Sequence, residues 1–431
     1  MHFSPFGHKT GSATKLRQPE GRGEEDPARV GKPNACPRAA DCISSVDVNT
    51  KKEHPDSGIQ RIPEDPLVRD RFRGCLLGGA VGDALGAPVE FMPRSEIIAL
   101  FGEPGIRDYV PAYGRVGAIT DDTQMTLFTA EGMLRGWVRF KERGIGPSFA
   151  ATTAHAYLRW LETQGYHVKS DFAMESPGWL ITHKELFSQR GPGTTCLSAL
   201  RSFRRGNLRA ANDRKGSGGL MRVAPVGMFM SHWSGQADKY IDETFQVAAD
   251  TAAITHGHPT GQLAAGIFAV VIDFLIRGWS LADALAAAKA QVRQHDHHEE
   301  TLSAVEFAEE LSRSEPRSPA AIKNLGKGWI AEEALAISIY CALCAKDFED
   351  GVVLAVNHDG DSDSTGAITG NMLGCLHRAS RIPERWLEPL ELCELITEIA
   401  DDLATAPGWE IGDYSDSSEV ARYYWKRYPP N

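Results

Sequence analysis

The chain has 431 residues, 42% of them hydrophobic, and a formal net charge of -11. That is enough apolar material for a sizeable core, and the wrong sign for a nucleic-acid groove, which draws on clustered Lys and Arg. The eight cysteines, at positions 36, 42, 75, 196, 341, 344, 375 and 393, are scattered through helical-looking segments and do not form a disulfide framework.

In chain order, residues 1–65 are rich in Pro, Gly, Lys, Glu, Asp and Ser without apolar periodicity, and are expected to be a disordered extension. Their start, Met1 to Lys9, has no apolar h-region, and no run of about eighteen apolar residues is read anywhere, so a cytoplasmic protein with no membrane partner is expected. A helical pattern opens near Pro66. Within it Gly78, Gly82 and Gly86 recur every four residues, a bare stripe on which another backbone can pack. Ser280 to Gln291, Glu299 to Leu311 and Gly328 to Ala345 read as amphipathic or buried helices, with Cys341 and Cys344 as core packing. His295-Asp296-His297-His298-Glu299-Glu300 reads as a solvated helix start, lacking the paired histidines of a helical zinc motif. Few segments alternate with a period of two, so the fold class is all-α. An aromatic tail follows over residues 406–431, as a terminal helix or a contact surface.

Two acidic clusters carry the chemistry. Thr120-Asp121-Asp122-Thr123 and Asp359-Gly360-Asp361-Ser362-Asp363-Ser364-Thr365 each mix carboxylates with hydroxyls, an oxygen set suited to Mg²⁺ or Mn²⁺ and equally to capping a helix. The second is not a calcium loop. Ser364 stands where such a loop turns on glycine, and Gly370 where it ends on glutamate. Behind it Gly366, Gly370 and Gly374 repeat the four-residue step.

Gly78 to Phe91, Thr120 to Thr123, Gly216-Ser217-Gly218-Gly219-Leu220-Met221-Arg222, Thr255-His256-Gly257-His258-Pro259, Gly360 to Ser364 and Ile382-Pro383 together resemble the ADP-ribosylglycohydrolase family, in family order over about residues 68 to 390. The resemblance implies a compact multi-helix catalytic domain over residues 66–405 with two Mg²⁺ or Mn²⁺ ions in a cleft. It implies Thr120, Asp121, Asp122, Asp361, Asp363 and Ser364 as ligands, with Asp361 or Asp363 bridging. Glu90 matches the flap glutamate near the scissile bond, to act with Asp361 in catalysis, and Asp83 a carboxylate supporting the substrate side. Gly216, Ser217 and Gly218 would approach the diphosphate, His256 would line the cleft, and Gly193 could add a phosphate-side turn. Ser217 and Asp359 depart from the commoner asparagine and glycine.

The implied activity is metal-dependent hydrolysis of ADP-ribose from modified protein side chains, arginine preferred, through an oxocarbenium-like transition state. An alternative gives the extension before Leu67 a role in occluding an ADP-ribosyltransferase toxin, as an immunity protein.

Overall fold

A computed structural model describes residues 65–144, 146–168, 177–204, 206–233 and 237–430. The expectations of disorder and of toxin occlusion fall outside these residues, apart from Asp65. Among the described residues the fold is helical, with isolated bridges and no strand, as the all-α reading expected.

The α-helices are α1 (Pro66–Gly86), α2 (Arg94–Phe101), α3 (Asp121–Arg143), α4 (Phe149–Thr163), α5 (Thr194–Arg201), α6 (Ala224–Met230), α7 (Ala237–Ala253), α8 (Pro259–Ile276) and α9 (Leu281–Val292). They continue as α10 (Glu299–Ser314), α11 (Pro319–Leu325), α12 (Ala331–Cys344), α13 (Phe348–Val356), α14 (Ser362–His377), α15 (Glu384–Leu387), α16 (Cys393–Thr405) and α17 (Glu419–Arg427).

The pairing of α1 with α14 positions the site. Asp65 caps α1 by accepting from the Leu67 amide at 2.8 Å, and Pro66 at the first turn suits the helix start. The two glycine stripes then meet. A β-carbon at Gly74, Gly78 or Gly82 would overlap the carbonyl oxygen of Gly374, Gly370 or Gly366, and one at Gly86 that of Ser362. Residue numbers fall on α14 as they rise on α1, so the helices are antiparallel. The C-terminal end of α1 therefore lies against the start of α14, bringing Asp83 and Glu90 towards Asp361 and Asp363.

α8 corrects the sequence reading. Its 18 residues have a mean hydropathy of 1.7, long and apolar enough to cross a membrane, yet 89% of that window is buried inside the protein. Asp273 within it bonds Thr244 and Arg277, as a buried carboxylate must. α8 is the central core helix, with Gly266 against Phe245 and Gly227 of α6 against the Ala269 carbonyl.

One smaller expectation shifts, and one open alternative meets its structure. His295 is half-buried and stacks on Phe245 at 4.3 Å, while Glu300 bonds Lys215 and Thr260, so the polar run before α10 is only partly solvated. In the tail, Trp409 stacks on Tyr424 of α17 at 3.6 Å and Arg427 lies 3.5 Å over the Trp179 ring, making it a packed terminal helix with Tyr414 and Tyr423 exposed. Cys341 is buried and unpaired in α12, as core packing predicts.

Candidate active site

Thr120 is the N-cap of α3, its hydroxyl accepting from the Asp122 amide at 3.2 Å. Capping and site formation coincide here, because the cap fixes the first turn from which Asp121 and Asp122 project. Asp121 accepts from the Gly193 amide at 3.2 Å, and its own amide donates to the Arg190 carbonyl at 2.9 Å. Asp122 Oδ2 is buried with no hydrogen-bond partner among the described residues. An orphaned carboxylate oxygen is costly unless something outside the chain meets it.

Asp361 is the N-cap of α14 and Asp363 lies in its first turn. Carboxylate oxygens of Glu90, Asp361 and Asp363 lie within 4.8 Å of one another. Glu90, assigned to chemistry by the sequence reading, thus stands beside the expected ligands. A β-carbon at Gly191 would sit 3.8 Å from Asp121 Oδ1 and 3.9 Å from Glu90 Oε2, so the first cluster borders the same space. Thr120, Asp121, Asp122, Asp361, Asp363 and Ser364 are all buried.

The electrostatics follow from packing like charges out of water. Burial, then Asp363, Asp121 and Asp83, push Glu90 up to about 9. Burial pushes Asp361 up to about 6, and raises Asp121, Asp122 and Asp363 well above the carboxylate range with help from each other's charge. An acceptor-only, oxygen-rich, mutually repelling pocket fits hard divalent cations.

Other expected site residues sit elsewhere in the architecture. Asp83 is fully buried and spent on α3: it accepts from the Thr120 amide at 3.0 Å, the Thr123 amide at 3.1 Å and the Thr123 hydroxyl at 2.5 Å. It holds the first cluster from behind. The Gly193 amide donates to Asp121 at 3.2 Å. In the glycine loop, the Ser217 amide donates to the Trp329 carbonyl and the Ser217 hydroxyl to Asp361 Oδ2 at 2.7 Å, tying the loop to the second cluster. Gly216 and Gly218 lie over the His256 ring, which is buried. Asp359 turns away: it accepts from the Arg94 amide at 2.6 Å, capping α2 where Pro93 cannot.

Sequence reasoning missed Tyr113, Arg190 and Glu391. A β-carbon at Gly191 would be 2.9 Å from the Tyr113 hydroxyl, and Arg190 lies 5.4 Å over the Tyr113 ring. Glu391 accepts from Arg190 at 3.0 Å and from the Ile119 amide at 3.2 Å, fixing the turn before Asp121. No local motif marks these residues; only the fold brings them together.

The ADP-ribosylglycohydrolase family model matches residues 64–411. An uncharacterised protein of Archaeoglobus fulgidus is 31% identical, over 78% of this chain and 96% of its own. An ADP-ribosyl-[dinitrogen reductase] glycohydrolase of Rhodospirillum rubrum is 25% identical over 76% and 92%, and an ADP-ribosylarginine hydrolase of Serratia proteamaculans 25% over 84% and 86%. Among solved structures, an ADP-ribosylglycohydrolase-related protein complex matches with a TM-score of 0.57 and 28% identity, covering 79% of this chain and 98% of that one. With the family model matching residues 64–411 and a 31% identical relative covered over 96% of its length, the chain belongs to the ADP-ribosylglycohydrolase family.

Proposed function

We propose that this protein is a metal-dependent hydrolase that removes ADP-ribose from modified proteins, with ADP-ribosyl-arginine as its substrate. The observation that carries the reading is the convergence of Glu90, Asp361 and Asp363 beside Asp121 and the orphaned Asp122 Oδ2. Such a cluster is satisfied by cations rather than by the chain itself. The arginine linkage is supported by the relative named for ADP-ribosylarginine, 25% identical.

In this reading residues 66–405 form the catalytic domain, and Thr120, Asp121, Asp122, Asp361, Asp363 and Ser364 hold two Mg²⁺ or Mn²⁺ ions. Bound there, the ions supply positive charge for the ribose hydroxyls and make water more acidic near the anomeric carbon. Glu90, whose proton affinity is raised by burial and by Asp363, Asp121 and Asp83, would be ionised once cations offset those charges, and would then take the proton from the attacking water. Asp361, oriented by the Ser217 hydroxyl, keeps negative charge near the positive charge that develops on the ribose. Asp83 keeps the α3 turn in register.

A panel of arginine-, serine- and cysteine-linked ADP-ribosyl proteins tests the reading. ADP-ribose should be released from the arginine-linked substrate, and release should stop in EDTA. Release from the serine-linked substrate alone, or full activity in EDTA, would overturn it.

A further inference from the structure

The His256 imidazole lies under the glycine loop. A β-carbon at Gly216 would stand 3.4 Å from Nε2, one at Gly218 3.3 Å from Cε1, and one at Gly219 3.2 Å from Nδ1. No hydrogen bond to Nε2 occurs among the described residues. Nδ1, in contrast, is 2.8 Å from Thr255 Oγ1, and that oxygen accepts from Arg222 Nη2 at 2.7 Å.

A guanidinium only donates, so the Arg222 bond uses a lone pair of the threonine and leaves its hydroxyl proton to be shared out. His256 Nδ1 is the strong acceptor in reach. The Cys196 sulfur, also near that hydroxyl, is a far weaker one. Arg222 is itself fully buried and meets no carboxylate among the described residues: it contacts Met125 Sδ and Cys196 Sγ at 3.4 Å and lies 4.2 Å over the Tyr157 ring. Burial of the ring, and then the Arg222 charge, oppose an imidazolium and push His256 down to about 3.

We propose that Arg222 and Thr255 are positioning residues that lock His256 in the neutral tautomer protonated at Nε2, presenting a fixed N–H donor beneath the Gly216–Gly218 turn. The ligand group it suits is an acceptor-only oxygen such as a diphosphate oxygen. That last step rests on the ADP-ribose reading; the tautomer does not.

The test uses the full chain labelled with ¹⁵N-histidine and no ligand. In long-range ¹H–¹⁵N spectra, the ring that disappears in His256→Gln should show protonated Nε2 and bare Nδ1, unchanged between about pH 8 and about pH 5. Thr255→Val should mix the tautomers and weaken calorimetric ADP-ribose binding about tenfold, and Thr255→Ser should restore both. Protonated Nδ1 or an imidazolium in the wild type overturns the proposal, and the wild-type spectrum decides this even if Thr255→Val fails to fold. An unchanged tautomer in folded Thr255→Val overturns it as well. A changed tautomer with unchanged ADP-ribose affinity overturns the ligand-facing role alone. If the wild type has the expected tautomer but binds no ADP-ribose, the hydrolase reading fails while the relay stands.

Discussion

On one side of the site, Glu90, Asp121, Asp122, Asp361 and Asp363 are packed so that each raises the proton affinity of others, and one oxygen of Asp122 has no partner among the described residues. On the other, Arg222, Thr255 and His256 are as deeply buried, yet each bond in their chain runs from a donor to an acceptor. The first side packs like charges together; the second, although Arg222 Nε also lacks a hydrogen-bond partner among the described residues, links its three side chains in one chain of bonds. Where a protein packs like charges together in its interior, the missing partner comes from solution, and where it chains buried polar groups, it fixes an orientation.

The largest expected effect breaks the first side. Asp121→Ala should lower ADP-ribose release by at least about a thousandfold, as loss of a central electrostatic group does. In EDTA the same variant should melt no lower than the wild type, because it removes a repelled carboxylate. A lower melting temperature in EDTA would mean that the cluster is not under strain.

Next comes the seam that assembles this side. Gly370→Val places bulk against the Gly78 carbonyl and should cost about 1–3 kcal/mol, the range for overpacking a tight interior. Because the seam sets where Asp361 and Asp363 stand, activity should fall while the His256 spectrum stays unchanged. A change in both would show that the two sides are not independent.

A third measurement follows stability with pH. Asp361 and Glu90 have folded values raised to about 6 and about 9, so the folded chain binds more protons there than the unfolded one. Their contribution is present at acid pH and lost as pH rises through those values. Melting curves in EDTA should therefore show this loss from about pH 4, where the unfolded carboxylates ionise, up to about pH 9, and Mg²⁺ or Mn²⁺ should remove it. Identical curves with and without cation would contradict the reading.

The smallest effect sharpens the boundary of the first side. Glu391→Gln weakens the bonds to Arg190 and the Ile119 amide and should reduce activity about tenfold, at a cost of about 2 kcal/mol. Unchanged activity would make this pair purely structural.

Legibility in the sequence followed the range of the interactions. The four-residue glycine step and the hydroxyl before Asp121 are local patterns, and both led to the observed α1–α14 contact and the α3 cap. Asp359, one position from Gly360, looked like part of the second cluster, but its carboxylate answers the bare start of α2, a demand set by Pro93 far upstream. Arg190 and Glu391 are separated by 201 positions, and neither belongs to a motif. The apolar character of α8 was diluted in the sequence by Thr260, Gln262 and Asp273, whose polar groups are handled by the fold.

The α1–α14 seam also dictates when the site can exist. Its two halves lie near opposite ends of the folded chain, at Pro66–Gly86 and Ser362–His377. On a ribosome releasing residues in order, the first acidic turn emerges long before the helix that completes its surroundings. Until α14 is out, Asp121 and Asp122 belong to a solvated segment in which repulsion is screened and cheap. The strain is thus imposed in one late docking step, with most of the helical scaffold already synthesised to withstand it.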